Sequence, residues 1–157
     1  MQGVIKAVCI SEEKGTEKHP VESAHLTAHH GIDGDAHAGP WHRQVSLLSW
    51  EKVEEFNRRG AQVTDGAFGE NLLVSGIDFR SLPIGTVFTT EQVELRLTQI
   101  GKECHSHCAI FQRVGSCIMP HEGVFAEVLR GGTVAPGEIL TVHLPPADDL
   151  KNQPIDA

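Results

Sequence analysis

Between Ile100 and Cys117 the chain reads IGKECHSHCAIFQRVGSC, which gathers Cys104, Cys108 and Cys117 with His105 and His107 among them. Lys102 and Arg113 bring positive charge to the same stretch. A thiolate is both a nucleophile and a soft metal ligand, and neighbouring cations lower a thiol's pKa. These residue types at this spacing predict a thiol that handles sulfur or a soft metal, with Cys104 as the first candidate.

A second polar concentration lies at 28–49, AHHGIDGDAHAGPWHRQVSLLS, with His29, His30, Asp33, Asp35, His37, His42 and Arg43. Its glycines and Pro40 exclude a regular helix, so these side chains sit on a loop, where dense polarity usually serves a site. A calcium loop starting at Asp33 fails, because its sixth position is Ala38 and its twelfth is Gln44 rather than glutamate. Glu70 and Asn71 precede the apolar run Leu72–Val74. Glu70 suits either a turn-closing carboxylate or a site residue.

Three chemistries fit these residues. Tetrahedral zinc would take Cys104 and Cys108 with two of His29, His30 and His37, although the chain shows no second paired knuckle. A Cys–His hydrolase would need partners that only the fold brings together. A sulfur-handling or molybdenum-binding thiolate needs one exposed cysteine of lowered pKa, cations for an anionic ligand and polar groups from other loops. Lys102, Arg113, Arg43, His37, His42 and Glu70 could play those parts.

The scaffold must present these groups. At 157 residues the chain fits one domain, over 1–144, followed by a polar tail at 145–157. A net charge of −8 argues against a nucleic-acid or anionic-membrane surface, and six Phe, two Trp and no Tyr argue against base-stacking platforms. MQGVIKAVCI runs directly into a strand-like pattern with neither a basic leader nor a long apolar span, which predicts the cytoplasm and reduced cysteines. Cys9, between Val8 and Ile10, reads as a small core residue.

Strands are expected at 3–10, 21–28, 45–49 and 72–74, and within 81–90 a Pro-Ile-Gly turn leads into another. VELRLTQI (93–100) alternates most clearly, and two turns separate three strands across 123–144. Residues 11–20 read as a charged loop. One helix is predicted, at about 49–59, with Ser49 as N-cap, Glu55–Arg59 as an i,i+4 pair and Gly60 as the stop. Many short strands with glycine turns imply a mainly β, barrel-like domain.

The pieces HHGIDGDAHAGPWHRQVSLLS, FGENLLVSGI, LPIGTVF, GKEC and GVFAEVLRGGTVAPGEIL, in that order over residues 3–144, resemble the MOSC domain. That family is named for the C-terminal domain of molybdenum cofactor sulfurase, and the likeness is to its small stand-alone bacterial members. The resemblance implies a β-barrel-like fold with one functional cysteine, matching Cys104. That cysteine would carry sulfur as a persulfide or ligate the molybdenum of a bound molybdenum cofactor (molybdopterin). It also implies that Asp35, His37, Arg43, Glu70 and Asn71 lie on loops around the same pocket. The sequence lacks the pyridoxal-phosphate domain that makes a persulfide, so sulfur would come from a cysteine desulfurase or a molybdenum cofactor biosynthesis protein. Cys108 or Cys117 could resolve a persulfide on Cys104. The alternatives carried forward are a molybdenum-dependent reductase of N-hydroxylated compounds and a zinc-stabilised module.

Overall fold

The computed structural model describes residues 1–14, 16–60, 63–101 and 123–146. In chain order its strands are β1 (Gln2–Ile10), β2 (His19–Val21), β3 (Ala24–Thr27), β4 (Gly31–Ile32) and β5 (Val45–Ser49), followed by the helix α1 (Trp50–Arg58). After it come β6 (Leu72–Ser75), a 3-10 turn at Phe79–Ser81, β7 (Val87–Thr89), β8 (Glu94–Ile100), β9 (Val124–Arg130), β10 (Gly132–Val134) and β11 (Ile139–His143).

Seven strands close on themselves in the order β1–β11–β7–β8–β9–β5–β6 and back to β1. Only the β5–β6 pairing in this ring is parallel. β1 closes the ring by using different residues on its two sides: Gln2–Val4 pair with β11 and Val4–Val8 with β6. The β1–β6 register shifts between Ile5 and Ala7, so Lys6 is an extra residue. A bulge of this kind resets the alternation of side chains. Ile5 and Val8 therefore join the main core, while Ala7 and Cys9 face the opposite side of the sheet. The far end of β1 pairs with β2, and β10–β3–β4 form a separate small sheet.

Each barrel strand contributes inward residues to one core, among them Val45, Leu47, Leu72, Val74, Phe88, Leu95, Leu97, Val124, Ala126 and Leu140. A second cluster lies outside the barrel wall, where Trp50, Val53 and Phe56 of α1 cover Cys9, Leu48, Leu73, Phe68 and Phe125. The helix has the expected bounds and stop, with Gly60 at φ 98° and an Arg59–Glu55 ion pair at 2.9 Å. Ser49 departs from expectation: its hydroxyl makes no cap bond and instead donates to the Ile77 carbonyl at 2.5 Å. The oxygen is spent on tying the parallel β5–β6 region to the following turn.

Two strand boundaries also differ from the sequence reading. The strand expected over 21–28 is divided between β2 and β3, and the charged loop expected over 11–20 ends early because His19 and Pro20 pair with β1. The expected Gly-Gly turn does not make a hairpin of β9 and β10. β10 leaves the barrel to pair with β3, since Gly131 approaches the Leu26 carbonyl so closely that a Cβ would sit 2.4 Å from it. β8 and β9 run antiparallel to their ends, where Ile100 faces Val124 and the Gly101 amide donates to the Gly123 carbonyl at 2.7 Å. Among the described residues no helix is long and apolar enough to cross a membrane.

Phe88 is fully buried and packs edge-to-face on Phe79 with centroids 5.4 Å apart. Phe88→Ala should lower the unfolding free energy by about 3–5 kcal/mol in urea titrations. Ile139→Ala, at a position 47% exposed, should change it by no more than about 0.5 kcal/mol. Equal effects would contradict the inward assignment of Phe88.

Candidate functional site

The glycine-rich loop leaves β4 and is stapled to the end of β1. The Ala36 amide donates to the Ser11 carbonyl at 2.8 Å, and the Ser11 amide donates to Asp35 Oδ1 at 3.0 Å. Asp35 Oδ1 also takes Lys18 Nζ at 2.8 Å, with both side chains fully buried, and Oδ2 takes the His37 amide at 3.1 Å. A buried charge is tolerated only when paired and hydrogen-bonded, and here each partner has further bonds. Lys18 Nζ reaches Ser11 Oγ at 3.1 Å and His37 Nδ1 at 3.0 Å. Lys18 is in turn placed by its backbone, whose amide donates to the Gly66 carbonyl at 2.9 Å. Gly66 has φ 89°, and a Cβ there would lie 2.1 Å from the Lys18 carbonyl oxygen. Only glycine lets the two segments meet.

Asp33, two residues before Asp35, belongs to a different group. It accepts from Thr27 Oγ1 at 2.8 Å and meets His25 Nδ1 at 2.9 Å; these two contacts hold its carboxyl below the usual range. The neighbouring aspartates thus face separate partners, in keeping with the failed calcium pattern.

Beyond His37 the loop turns around Trp41. The Trp41 indole N–H donates to the His37 carbonyl at 2.7 Å, and the two rings lie parallel with centroids 6.4 Å apart. Arg43 Cζ stands 4.5 Å and Lys14 Nζ 4.8 Å from the Trp41 ring centroid, and the His42 ring meets its edge at 6.0 Å. Cations over an indole face gain from its quadrupole. Arg43 also lies 5.7 Å from the Phe125 ring, and its Nε is buried with no hydrogen-bond partner among the described residues. Leaving such a donor unmet costs about 1–3 kcal/mol, so an acceptor supplied from outside would be favoured.

His42 links this cluster to the β8–β9 end. Its Nε2 lies 2.7 Å from Gln99 Oε1, and Gln99 Nε2 donates to the Gly101 carbonyl at 2.7 Å. The Thr98 hydroxyl donates to the His42 carbonyl. A cleft of about 500 Å³ opens beside His42, between Ile84, Gly85, Leu97 and the Arg96–Glu127 ion pair.

Glu70 and Asn71 have structural work. Glu70 is fully buried and accepts the Gly66 amide at 3.0 Å and the Phe68 amide at 3.1 Å, the turn-closing role of the two the sequence allowed. Asn71 accepts the Ser46 amide at 2.9 Å and donates to the Cys9 carbonyl at 3.0 Å, joining β5, β6 and β1. Cys9 is buried, and burial first, then the charges of Glu70 and Asp65, push its thiol up to about 12. It is a core residue, as expected.

Of the residues singled out in the sequence, Asp35, His37, His42 and Arg43 are brought to one neighbourhood. Cys104, Lys102, Arg113, Cys108 and Cys117 lie outside the described residues. Among the histidines considered for zinc, His29 and His30 are exposed on the turn before β4, while His37 is engaged by Lys18. No group of three or more His, Cys, Asp or Glu among the described residues is arranged to hold a metal ion. Sequence reasoning missed Lys18, Lys14, Trp41 and Gln99. The PWHR run, with one of only two tryptophans between two basic residues and a proline, was the available signal for Trp41. Nothing local marks Lys18 among the lysines of 11–20.

Residues 29–141 match the family model for the MOSC domain. The uncharacterized protein YflK of Bacillus subtilis (strain 168) is 29% identical over 143 residues, which cover 80% of this chain. The chain spans 61% of that relative's length. Among solved structures, the YuaD protein of Bacillus subtilis superposes with a TM-score of 0.79 at 21% identity, covering 93% of this chain and 98% of that one. YiiM from Geobacillus stearothermophilus gives 0.69 at 18% identity (90% and 75% covered), and YiiM from Escherichia coli gives 0.69 at 19% (94% and 72%). At these identities the structures speak for the shared fold.

Burial pushes the Glu70 carboxyl up from 4.5 to about 7, against the opposing pull of its backbone amides. The folded protein therefore holds a proton that the unfolded chain releases near pH 4.5, so stability is highest below that pH and falls as pH rises through about 7. The loss should be on the order of 3 kcal/mol between pH 4.5 and 7.5. Denaturation midpoints measured across that range should drift downward in the wild type and stay flatter in Glu70→Gln.

Proposed function

Because this chain belongs to the MOSC domain family, we propose that it binds molybdenum cofactor, or carries that cofactor's sulfur as a persulfide, through Cys104. The observation that carries this reading is the Trp41 cluster. In a chain of net charge −8, Arg43 and Lys14 converge on one indole, and Arg43 keeps a buried donor without an acceptor among the described residues. That donor set fits an anionic group.

Cys104 follows Gly101 by three residues, a reach of at most about 11 Å. Gly101 is joined to His42 through Gln99, which supports a reading in which the thiol acts at the cluster. In this reading Arg43 and Lys14 offset the ligand's charge, together with Lys102 and Arg113 from the cysteine stretch. His37 or His42 serves the ligand as a proton donor or hydrogen-bond partner, and Asp35 holds the loop in place. Glu70 and Asn71 act indirectly, by fixing the strand ends. The cofactor, when bound, supplies a redox-active molybdenum that a thiolate can ligate.

Sulfur loading needs only thiolate chemistry. The Cys104 thiolate attacks the terminal sulfur of a donor persulfide, the donor's S–S bond breaks as the new one forms, and the donor leaves as a thiolate. A cysteine desulfurase or a molybdenum cofactor biosynthesis protein would be that donor, in the cytoplasm where thiols stay reduced.

Cys104→Ser should abolish sulfur loading and cofactor binding, read by intact-mass spectrometry and molybdenum analysis, while Cys9→Ser retains both. Arg43→Gln should weaken cofactor binding about tenfold, the loss expected for one charge-assisted hydrogen bond. Equal loading of the Cys104 and Cys9 variants would sink the assignment.

A further inference from the structure

We propose that Gln99 is a positioning residue that commits His42 to one tautomer, so that this imidazole meets a ligand at Nδ1 with a lone pair rather than a proton. The order of donors is set at the Gly101 carbonyl. Gly101 is held at the end of β8 with φ 68°, its amide donating to the Gly123 carbonyl at 2.7 Å. A carbonyl oxygen only accepts, so the Gln99 group 2.7 Å from the Gly101 carbonyl must be the amide nitrogen. That turns Gln99 Oε1 to His42 Nε2 at 2.7 Å. Oε1 also only accepts. The single proton of the neutral ring therefore sits on Nε2, and Nδ1 keeps its lone pair.

Each alternative sets two acceptors against one another. An Nδ1–H tautomer would direct the Nε2 lone pair at Gln99 Oε1 across 2.7 Å. Turning the amide over would relieve that contact, but would bring its oxygen to 2.7 Å from the Gly101 carbonyl oxygen. The histidine is held by other contacts as well. Its carbonyl accepts from the Thr98 hydroxyl, and its ring meets the edge of Trp41 with centroids 6.0 Å apart.

His42 is exposed and lines the cleft of about 500 Å³, and its Nδ1 has no hydrogen-bond partner among the described residues. The described charged groups around it are Arg96 and Glu127, which pair with each other in the cleft wall, Arg43 beside it in sequence and Lys14 on the Trp41 indole. His37 stacks on the same indole. Lysine and arginine can only donate, so His42 adds an acceptor beside the cationic donors. The ligand class this selects has an anionic part and, next to it, an N–H, O–H or S–H group. On the function proposed above that group would be a ring N–H or a thiol; the tautomer does not depend on that reading.

Long-range proton–nitrogen NMR on protein labelled with ¹⁵N-histidine, with His42 assigned from a His42→Gln spectrum, should show an unmixed Nε2–H pattern at about pH 8, above the ordinary imidazole pKa. Gln99→Met should give a mixture of the two tautomers. Gln99→Glu places a carboxylate where Nε2–H donates, and should raise the His42 titration midpoint by about one unit over the wild type, a shift that a merely space-filling role for Gln99 would not produce. An Nδ1–H or mixed pattern in the wild type overturns the proposal even if neither variant folds. So does an unmixed pattern in Gln99→Met, or an unmoved midpoint in Gln99→Glu. None of these readouts involves molybdenum or sulfur, so their failure is distinct from a failure of the Cys104 assignment.

Discussion

A β-sheet becomes a barrel only if its first and last strands can pair, and here that requirement falls on β1. Nine residues long, it gives its first part to β11, its middle to β6 and its end to β2. No shorter strand could satisfy all three. Closure removes the exposed edges that an open sheet would present. It also brings the end of β1, with Cys9 and Ser11, against loops that are far away in sequence. The extra residue at Lys6 makes this workable, because it lets β1 line the barrel with Ile5 and Val8 while Ala7 and Cys9 turn to the helix.

The ionic centre depends on that closure. Asp35 accepts a hydrogen bond from the Ser11 amide at the strand end, and Lys18 arrives through its backbone bond to the Gly66 turn. Glu70 closes the same turn, and Asn71 ties it to β1 and β5. A buried lysine, a buried aspartate and a buried glutamate are thus parts of one construction: Asp35 holds the Ser11 and His37 amides and pairs with Lys18, Lys18 reaches the Ser11 and His37 side chains, and Glu70 holds the Gly66 and Phe68 amides. Hydrophobic residues of the same volume could fill the space, but they could not fix the orientation of His37 and Trp41.

Much of the fold was legible because period-two alternation is a property of neighbouring residues. Val93, Leu95 and Leu97 are buried as their spacing required, and Trp50, Val53 and Phe56 mark one face of α1. What escaped were decisions made across the chain. The hydroxyl of Ser49 was free to cap the helix or to reach Ile77, and only the proximity of the turn decides. The Gly131–Gly132 pair reads as a hairpin turn, yet β10 finds its partner in β3, about a hundred residues earlier. In the site, acidic and histidine-rich residues were conspicuous, whereas Lys18 was hidden in a charged segment that resembles solvent-exposed loop. Which lysine of such a segment becomes buried is set by a carboxylate on another loop, which local sequence does not encode.

Among the described residues, the antiparallel ladder of β8 and β9 reaches as far as the bond from the Gly101 amide to the Gly123 carbonyl, next to the thiol-bearing stretch in sequence. Departure and return of the chain are thereby set side by side on the barrel rim. The entropic cost of joining two such anchored points rises only slowly with the length of what connects them. A change in the length of the connection between these two anchored points would therefore cost the barrel little, since neither anchor belongs to the connection itself.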